Sequence, residues 1–243
     1  MDRLAWKAKI GLVVVSSSTV CEGRYPRVAP PDVGFFTSRM LLSGGGGLAA
    51  IEAMEASAAR AIEELASVPV DAIAYCCTVS GALRGIDRDR EFCRDTAKQW
   101  GIPVTSTMLA VTEALQHLGL RRVVVTSPYP DDHHDAERLY LEHAGVEAIA
   151  MHGLGLHEGP DFAKVTPEEI YRFSLAKWDA AADGLFISCM NFDAMPAVQV
   201  LEDRIGKPVV TSHSATLWRA LGLTGIDAPI HGYGRLLAQP CVV

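Results

Sequence analysis

Two cysteines stand at matching points of a weak internal repeat. Cys77 follows the apolar run Ile73-Ala74-Tyr75-Cys76, and Cys189 follows Leu185-Phe186-Ile187-Ser188. Each precedes a short stretch of small or polar residues. Backbone N–H groups in such a turn, and at the start of a following helix, can hold an anion. The same donors lower a thiol pKa and make a thiolate available. Two opposed thiols can do work that one cannot. One moves a proton on one face of a planar carbon while its partner acts from the other face. Alternatively, one adds covalently and the other supplies the proton. Free cysteine is also commonly a small buried hydrophobe. That reading is preferred for Cys76, whose side chain should face away from that of Cys77. Cys93 lies in a helical pattern and Cys241 near the last residue; neither is assigned a role.

Other polar residues belong to the same rim. Ser16, Ser17 and Ser18 end the first apolar run, and Thr126, Ser127 and Tyr129 end its counterpart. Thr78, Ser80 and Thr105 add hydroxyls, and Asn191 closely follows Cys189. The candidate substrate-binding set is Ser17, Ser18, Thr78, Val79, Tyr129, Met190 and Asn191. Neutral hydroxyls and backbone amides of this kind suit a carboxylate. Tyr129 can add a charge-assisted bond to a carboxylate or enolate oxygen. Arg24, Arg27 and Arg39 are expected to be exposed to solvent. His133-His134-Asp135 and the pair His152 and His157 are metal-ligand types without HExxH or CxxC spacing. Adjacent histidines diverge on a helix, so no metal is expected. His213 follows the last strand and is expected at a helix cap or on the surface. A serine hydrolase is disfavoured because no GxSxG elbow is present.

The elements that must position these groups alternate along the chain. Ile10–Val15, Ala72–Tyr75, Pro103–Thr105, Arg122–Thr126, Val146–Met151, Gly184–Ser188 and Pro208–Thr211 read as strands. Helical periodicity lies between them, through Ile51, Met54, Ala58, Ile62 and Leu65, and again through Leu109, Ala114, Leu115 and Leu118. Residues 136–143, 168–181 and 197–205 are further helices. Nearly continuous apolar strands joined by such helices indicate a parallel sheet covered on both faces. Thr166-Pro167-Glu168-Glu169 carries a helix-start signature. Residues 19–45, rich in Pro, Gly and Arg, read as a long loop, and Gly44–Gly47 as a mobile turn or flap.

The repeat organises the whole. "GLVVVSSST" at 11–19 resembles "RVVVTSPYP" at 122–130. "DAIAYCCTVSG" at 71–81 resembles "DGLFISCMNFD" at 183–193, and "GIPVTST" at 101–107 resembles "GKPVVTSHS" at 206–214. Three matched pairs in one order predict an α/β protein of two pseudo-symmetric halves, each with a mostly parallel sheet flanked by helices. Ligands of parallel α/β sheets sit beyond the strand carboxyl ends, so the active site is expected in the cleft between the halves. The first half is expected over residues 1–115, completed by a segment near 212–243, and the second over 116–211.

Composition narrows the function. Lys and Arg number 22 against 29 Asp and Glu, a formal charge of −7. That argues against nucleic acid as a partner. No apolar run approaches the ~18 residues of a membrane span, and the uneven cysteine positions do not resemble a secreted disulfide scaffold. A cytoplasmic protein, with a homodimer as the default and no membrane partner, is expected, and the polar rim suits a small carboxylate substrate.

These residues resemble the Asp/Glu racemase superfamily, and within it the branch of maleate cis–trans isomerase and arylmalonate decarboxylase. The resemblance spans nearly the full chain. It is carried by "GLVVVSSST", "CTVSGALRG" from Cys77, "TSPYPDD" from Thr126, "GLFISCMNFDAMPAV" from Gly184 and "GKPVVTS" from Gly206. It implies two pseudo-symmetric halves, no metal and no organic cofactor. Maleate isomerases carry cysteine at the positions of Cys77 and Cys189, whereas arylmalonate decarboxylase has glycine at the first. Tyr129 matches the family's carboxylate-binding tyrosine. Ser18 departs from the asparagine usual in maleate isomerases. "GLGLHEG" at 153–159 falls where isomerases place another polar substrate contact.

The resemblance implies a two-cysteine isomerase of a maleate-like dicarboxylate, with Cys77 as nucleophile and Cys189 as proton donor. Three alternatives stay open. Two thiols can racemise an α-activated carboxylic acid, Cys189 alone can protonate the product of malonate decarboxylation, or the fold can bind a small carboxylate without turnover.

Overall fold

The computed structural model describes residues 6–43 and 48–241. Gly44–Gly47, expected as a flap, lie outside the described residues.

The apolar runs form two four-stranded parallel sheets with the same topology. The first contains β1 (Ala8–Val15), β2 (Val33–Met40), β3 (Ala72–Cys76) and β4 (Val104–Ser106), in the order β2-β1-β3-β4. The second contains β5 (Arg122–Ser127), β6 (Glu147–Gly153), β7 (Gly184–Ile187) and β8 (Val209–Thr211), in the order β6-β5-β7-β8. The matched sequences therefore occupy matched strands: β1 with β5, β3 with β7, and β4 with β8. Central strands β3 and β7 are buried at every position, which is why they read as unbroken apolar runs.

Helices of the first half are α1 (Val20–Val28), α2 (Leu48–Glu55), α3 (Ala58–Ala66), α4 (Thr78–Arg84), α5 (Ile86–Trp100) and α6 (Thr107–His117). The rest are α7 (His134–His143), α8 (Gly159–Phe162), α9 (Pro167–Ala176), α10 (Met195–Ile205), α11 (Ser212–Leu223) and α12 (Gly234–Leu237). No helix among the described residues is long and apolar enough to cross a membrane.

Helices α6 and α11 join the halves. The Ser106 hydroxyl accepts the Leu109 N–H at 3.1 Å, and the Thr211 hydroxyl accepts the Ser214 N–H at 2.9 Å. Each cap satisfies a donor that the helix itself leaves open. Ala110, Val111, Ala114 and Leu115 of α6 and Ala215, Leu217 and Leu221 of α11 are buried in one core. Helix α11 packs on α6, on β1, β3 and β4 of the first sheet, and on β8 of the second.

The expected loop over 19–45 is instead helix α1 followed by edge strand β2. Gly23 and Pro26 argue locally against a helix. Burial of Val20, Cys21, Tyr25 and Val28 overrides them. The Tyr25 hydroxyl donates to the His213 carbonyl at 3.1 Å, and Arg24 Nε donates to Asp193 at 2.9 Å, tying α1 to the other half. Arg24 is thus paired rather than free in solvent. Arg39 is likewise committed: it donates to the Ser16 and Ser18 carbonyls at 2.9 Å each and pairs with Glu22. Arg27 is exposed, as expected. The helix expected to reach residue 181 ends at Ala176. Beyond it, the Asp179 side chain accepts the Ala181 N–H at 2.8 Å, a local bond that competes with helix.

Candidate active site

Strands β3 and β7 end side by side in function: each delivers a cysteine to one cavity. Cys77 and Cys189 line it together with Ser17, Ser18, Thr78, Val79, Tyr129, Met190 and Asn191. All nine residues singled out in the sequence therefore border the same space. Its volume is about 90 Å³, which suits a small acid; drug-sized pockets run to roughly 300–1,000 Å³. Val15, Leu42, Ile51, Met54 and Phe162 supply apolar wall.

Cys77 is the N-cap residue of α4, with extended backbone angles. The Ser80 hydroxyl donates to its sulfur at 3.0 Å. Burial pushes the thiol up, while the Ser80 hydroxyl and N–H pull it down. The first-turn N–H groups of Thr78 and Val79 have no acceptor within a helix, and both residues line the cavity.

Cys189 has a different backbone. Its φ of +103° is the only positive value on a non-glycine residue among those described. Such a conformation costs of order 1–3 kcal/mol and needs support. Support comes from Ser212, whose hydroxyl oxygen accepts the Cys189 N–H at 3.0 Å and the Thr78 hydroxyl at 3.1 Å. The Asn191 N–H donates to the Cys189 sulfur at 3.3 Å, and the Tyr129 hydroxyl hydrogen-bonds the same sulfur. Burial nevertheless pushes the thiol up to about 12, against those two bonds, and the Cys77 sulfur adds to the rise. Both cysteines therefore rest as thiols, Cys189 the more firmly.

Tyr129 is placed by close backbone packing. A Cβ on Gly153 would lie 1.8 Å from the Tyr129 carbonyl oxygen, so the end of β6 reaches this segment only because residue 153 has no side chain. The ring meets Phe162 edge-on with centroids 5.5 Å apart. Asn191 braces the halves: its Oδ1 accepts the Thr19 N–H at 3.0 Å, and its Nδ2 donates to the Gly159 carbonyl at 2.7 Å and, more weakly, to the Ser17 carbonyl at 3.4 Å. Its side-chain amide is thereby engaged with backbone. Ser18 is buried, with its hydroxyl 3.5 Å from the Met190 carbonyl.

Of the remaining cysteines and histidines, Cys76 lies as strand alternation predicts and His213 departs from its expected place. Cys21 is buried in α1, behind the cavity wall, and hydrogen-bonds Cys76 there. Cys76 is buried in a different core cluster from Cys77, as alternation along the strand requires, although it also touches the cavity. His213 is neither exposed nor a cap; it is fully buried in α11, edge-on to Tyr25. His134 Nε2 bonds the Ser127 hydroxyl at 2.8 Å. No group of three or more metal-ligating side chains is gathered among the described residues. Sequence reasoning missed Ser212, which follows the last strand without a local signal. It also gave no role to His157 and Gly159, both at the cavity.

The family model for arylmalonate decarboxylase matches residues 40–237. The chain belongs to this family. It lies in the maleate isomerase and arylmalonate decarboxylase branch of the Asp/Glu racemase superfamily, and it is an enzyme of this general kind, with cysteine chemistry. The maleate isomerase of Alcaligenes faecalis is 25% identical over 244 residues, covering 95% of this chain and 96% of its own. The arylmalonate decarboxylase of Bordetella bronchiseptica is 31% identical over 142 residues, 57% of this chain and 59% of its own. The fold matches that of Nocardia farcinica maleate cis–trans isomerase, solved with a covalently bound succinylcysteine intermediate. That match has a TM-score of 0.89 at 24% identity and covers 95% of this chain and 98% of the other.

Proposed function

We propose that this chain is a cofactor-independent two-cysteine isomerase that converts a small maleate-like cis dicarboxylate to the trans acid. The observation that carries this reading is the pairing of Cys77 and Cys189 at matching strand ends around one small cavity. A decarboxylating site needs one proton donor; a second thiol at the first strand end adds a nucleophile.

The two environments suggest the roles. Cys77 loses its proton to solvent or to the bound dicarboxylate, and the Ser80 hydroxyl and N–H stabilise the resulting thiolate. The thiolate adds to one alkene carbon. The alkene π electrons move toward the conjugated carboxylate and give an enediolate. The former double bond is now single and rotates. The N–H groups of Thr78 and Val79 and the Tyr129 hydroxyl are placed to carry the developing oxyanion charge. Cys189, held protonated by burial, donates its proton to the adjacent carbon and takes it back on reversal. Expulsion of the Cys77 thiolate then leaves the trans alkene. The succinylcysteine captured in the Nocardia farcinica enzyme supports a covalent thiol adduct as the intermediate.

Freshly reduced protein followed with maleate by proton NMR in D2O tests the reading. Fumarate should accumulate without added metal or cofactor. Folded, reduced protein that leaves maleate unchanged would sink it. A second reading, decarboxylation of a disubstituted malonate, is favoured by the 31% identity to a decarboxylase. It needs Cys189 alone, so decarboxylation retained in Cys77→Ala would select it.

A further inference from the structure

Glu137 is a buried acid with no part in the chemistry above. It lies on the inner face of α7, 2% exposed. Its Oε1 accepts the Ser188 hydroxyl at 2.6 Å, and its Oε2 is buried with no hydrogen-bond partner. Ser188 immediately precedes Cys189. Its side chain points to α7 while that of Cys189 points to the cavity. Its N–H donates to the Thr126 carbonyl at 2.8 Å. The carboxyl also borders a second cavity of about 440 Å³ between α4 and α7. Thr78, Val79, Tyr129 and His133 line both cavities, so the acid stands just behind the reacting site.

We propose that Glu137 is a positioning residue for this reaction: its buried carboxyl, seated on the Ser188 hydroxyl, anchors the Cys189 turn and sets an acidic group directly behind it, so that Cys189 serves as acid and not as a second nucleophile. This rests on the reading of Cys189 as proton donor. Glu137 itself exchanges no proton with substrate. Its effect is through space: a buried carboxylate opposes a second negative charge nearby. Both Cys189 and Tyr129 are raised by it. Burial pushes the Glu137 carboxyl up to about 7, with the Ser188 bond opposing, so it ionises near neutrality.

The titratable groups around it come from every neighbouring element. Tyr129 and His133 follow β5, Cys189 follows β7, and Cys77 caps α4. His134 and Asp135 lie on α7, with His152 on β6 beyond His134. Burial lowers His134, so it adds no positive charge at neutral pH.

The test reads thiol reactivity and needs no substrate. Iodoacetamide labelling of each cysteine is followed by peptide mass spectrometry in wild type, Glu137→Gln and Ser188→Ala, at pH values below and above 7. Glutamine keeps the size and an acceptor for Ser188 but never ionises. Above pH 7, Cys189 of Glu137→Gln should label severalfold faster than wild type, because the opposing carboxylate is gone. Cys77 should be unchanged, and the difference at Cys189 should vanish below pH 7. Ser188→Ala should lower the melting temperature, because the buried carboxyl loses its Ser188 donor; an unchanged melting temperature would overturn the anchoring. Unchanged Cys189 labelling in folded Glu137→Gln would overturn the proposal. Equal acceleration of Cys77 and Cys189 would also overturn it, since that reports a loosened site. A protein inactive on maleate can still pass, so failure here and failure of the isomerase reading are separate results.

Discussion

The Ser212 hydroxyl oxygen accepts the backbone N–H of Cys189 at 3.0 Å, from the first residue of α11 to a turn 23 positions earlier. The same oxygen accepts the Thr78 hydroxyl at 3.1 Å. One side chain from the third matched segment thus links the two catalytic turns. Its counterpart in the first half, Thr107, bonds differently: its hydroxyl donates to the Tyr75 carbonyl at 3.1 Å. Ser212→Ala leaves the buried Cys189 N–H without an acceptor, at a cost of about 1–3 kcal/mol. Urea unfolding should show that loss. Turnover per folded molecule should also fall at least tenfold, because the +103° backbone of Cys189 loses its brace. Turnover that tracks stability alone would assign Ser212 to the scaffold only.

The two thiols should fail differently. Cys77→Ala removes the nucleophile, so no covalent adduct should be seen by intact-protein mass spectrometry with maleate present. Cys189→Ala leaves the nucleophile but no acid, and should slow isomerisation by about 10²–10⁴-fold. Because burial raises both thiols, the wild-type rate should climb with pH as Cys77 deprotonates. A rate flat from neutral to mildly alkaline pH would mean that Cys77 is already a thiolate at rest.

Much of this was legible because burial writes a strong signal. Strands β3 and β7 are buried at every position and β1 and β5 at most of theirs, so their central residues are apolar, and the turns after β3 and β7 stand out by contrast. Strand β2 escaped because it is an edge strand with several half-exposed positions. Helix α1 escaped because Gly23 and Pro26 oppose it locally, and burial of Val20, Cys21, Tyr25 and Val28 with the long-range bonds of Arg24 and Tyr25 outweighs them. The thiols were readable as residue types at matched positions. Ser212 and Glu137 were not: each reaches Cys189 or its neighbour from a helix distant in sequence, and no local pattern encodes such a contact.

The buried carboxyl makes a separate prediction about folding. Glu137 is raised to about 7 when folded, against an ordinary value of 4.5. Between those values the native state holds a proton that the unfolded chain has released. Stability from this group is therefore complete below pH 4.5 and is lost as pH rises through 7. The loss amounts to about 3 kcal/mol. Glu137→Gln should remove most of that slope, so wild type and variant should differ more in urea midpoint above pH 7 than at pH 5. Parallel stability profiles would show that the carboxyl does not titrate in this range.

Ser18 should tune the substrate. It is buried on the cavity wall, and its hydroxyl is only 3.5 Å from the Met190 carbonyl, at the limit of a hydrogen bond. It therefore has little to lose by substitution. Asparagine at this position would extend an amide N–H₂ into a cavity of about 90 Å³, where a carboxylate of the proposed substrate would meet it. A hydrogen bond to a charged group contributes about 1.5–3 kcal/mol. Ser18→Asn should therefore lower KM for maleate about tenfold, with kcat little changed, because the bond forms equally in ground and transition states. The opposite result, a raised KM with intact folding, would mean that the shorter serine makes room for a bulkier acid. Steady-state kinetics with maleate and with a 2-substituted maleate, run on both proteins, separates the two.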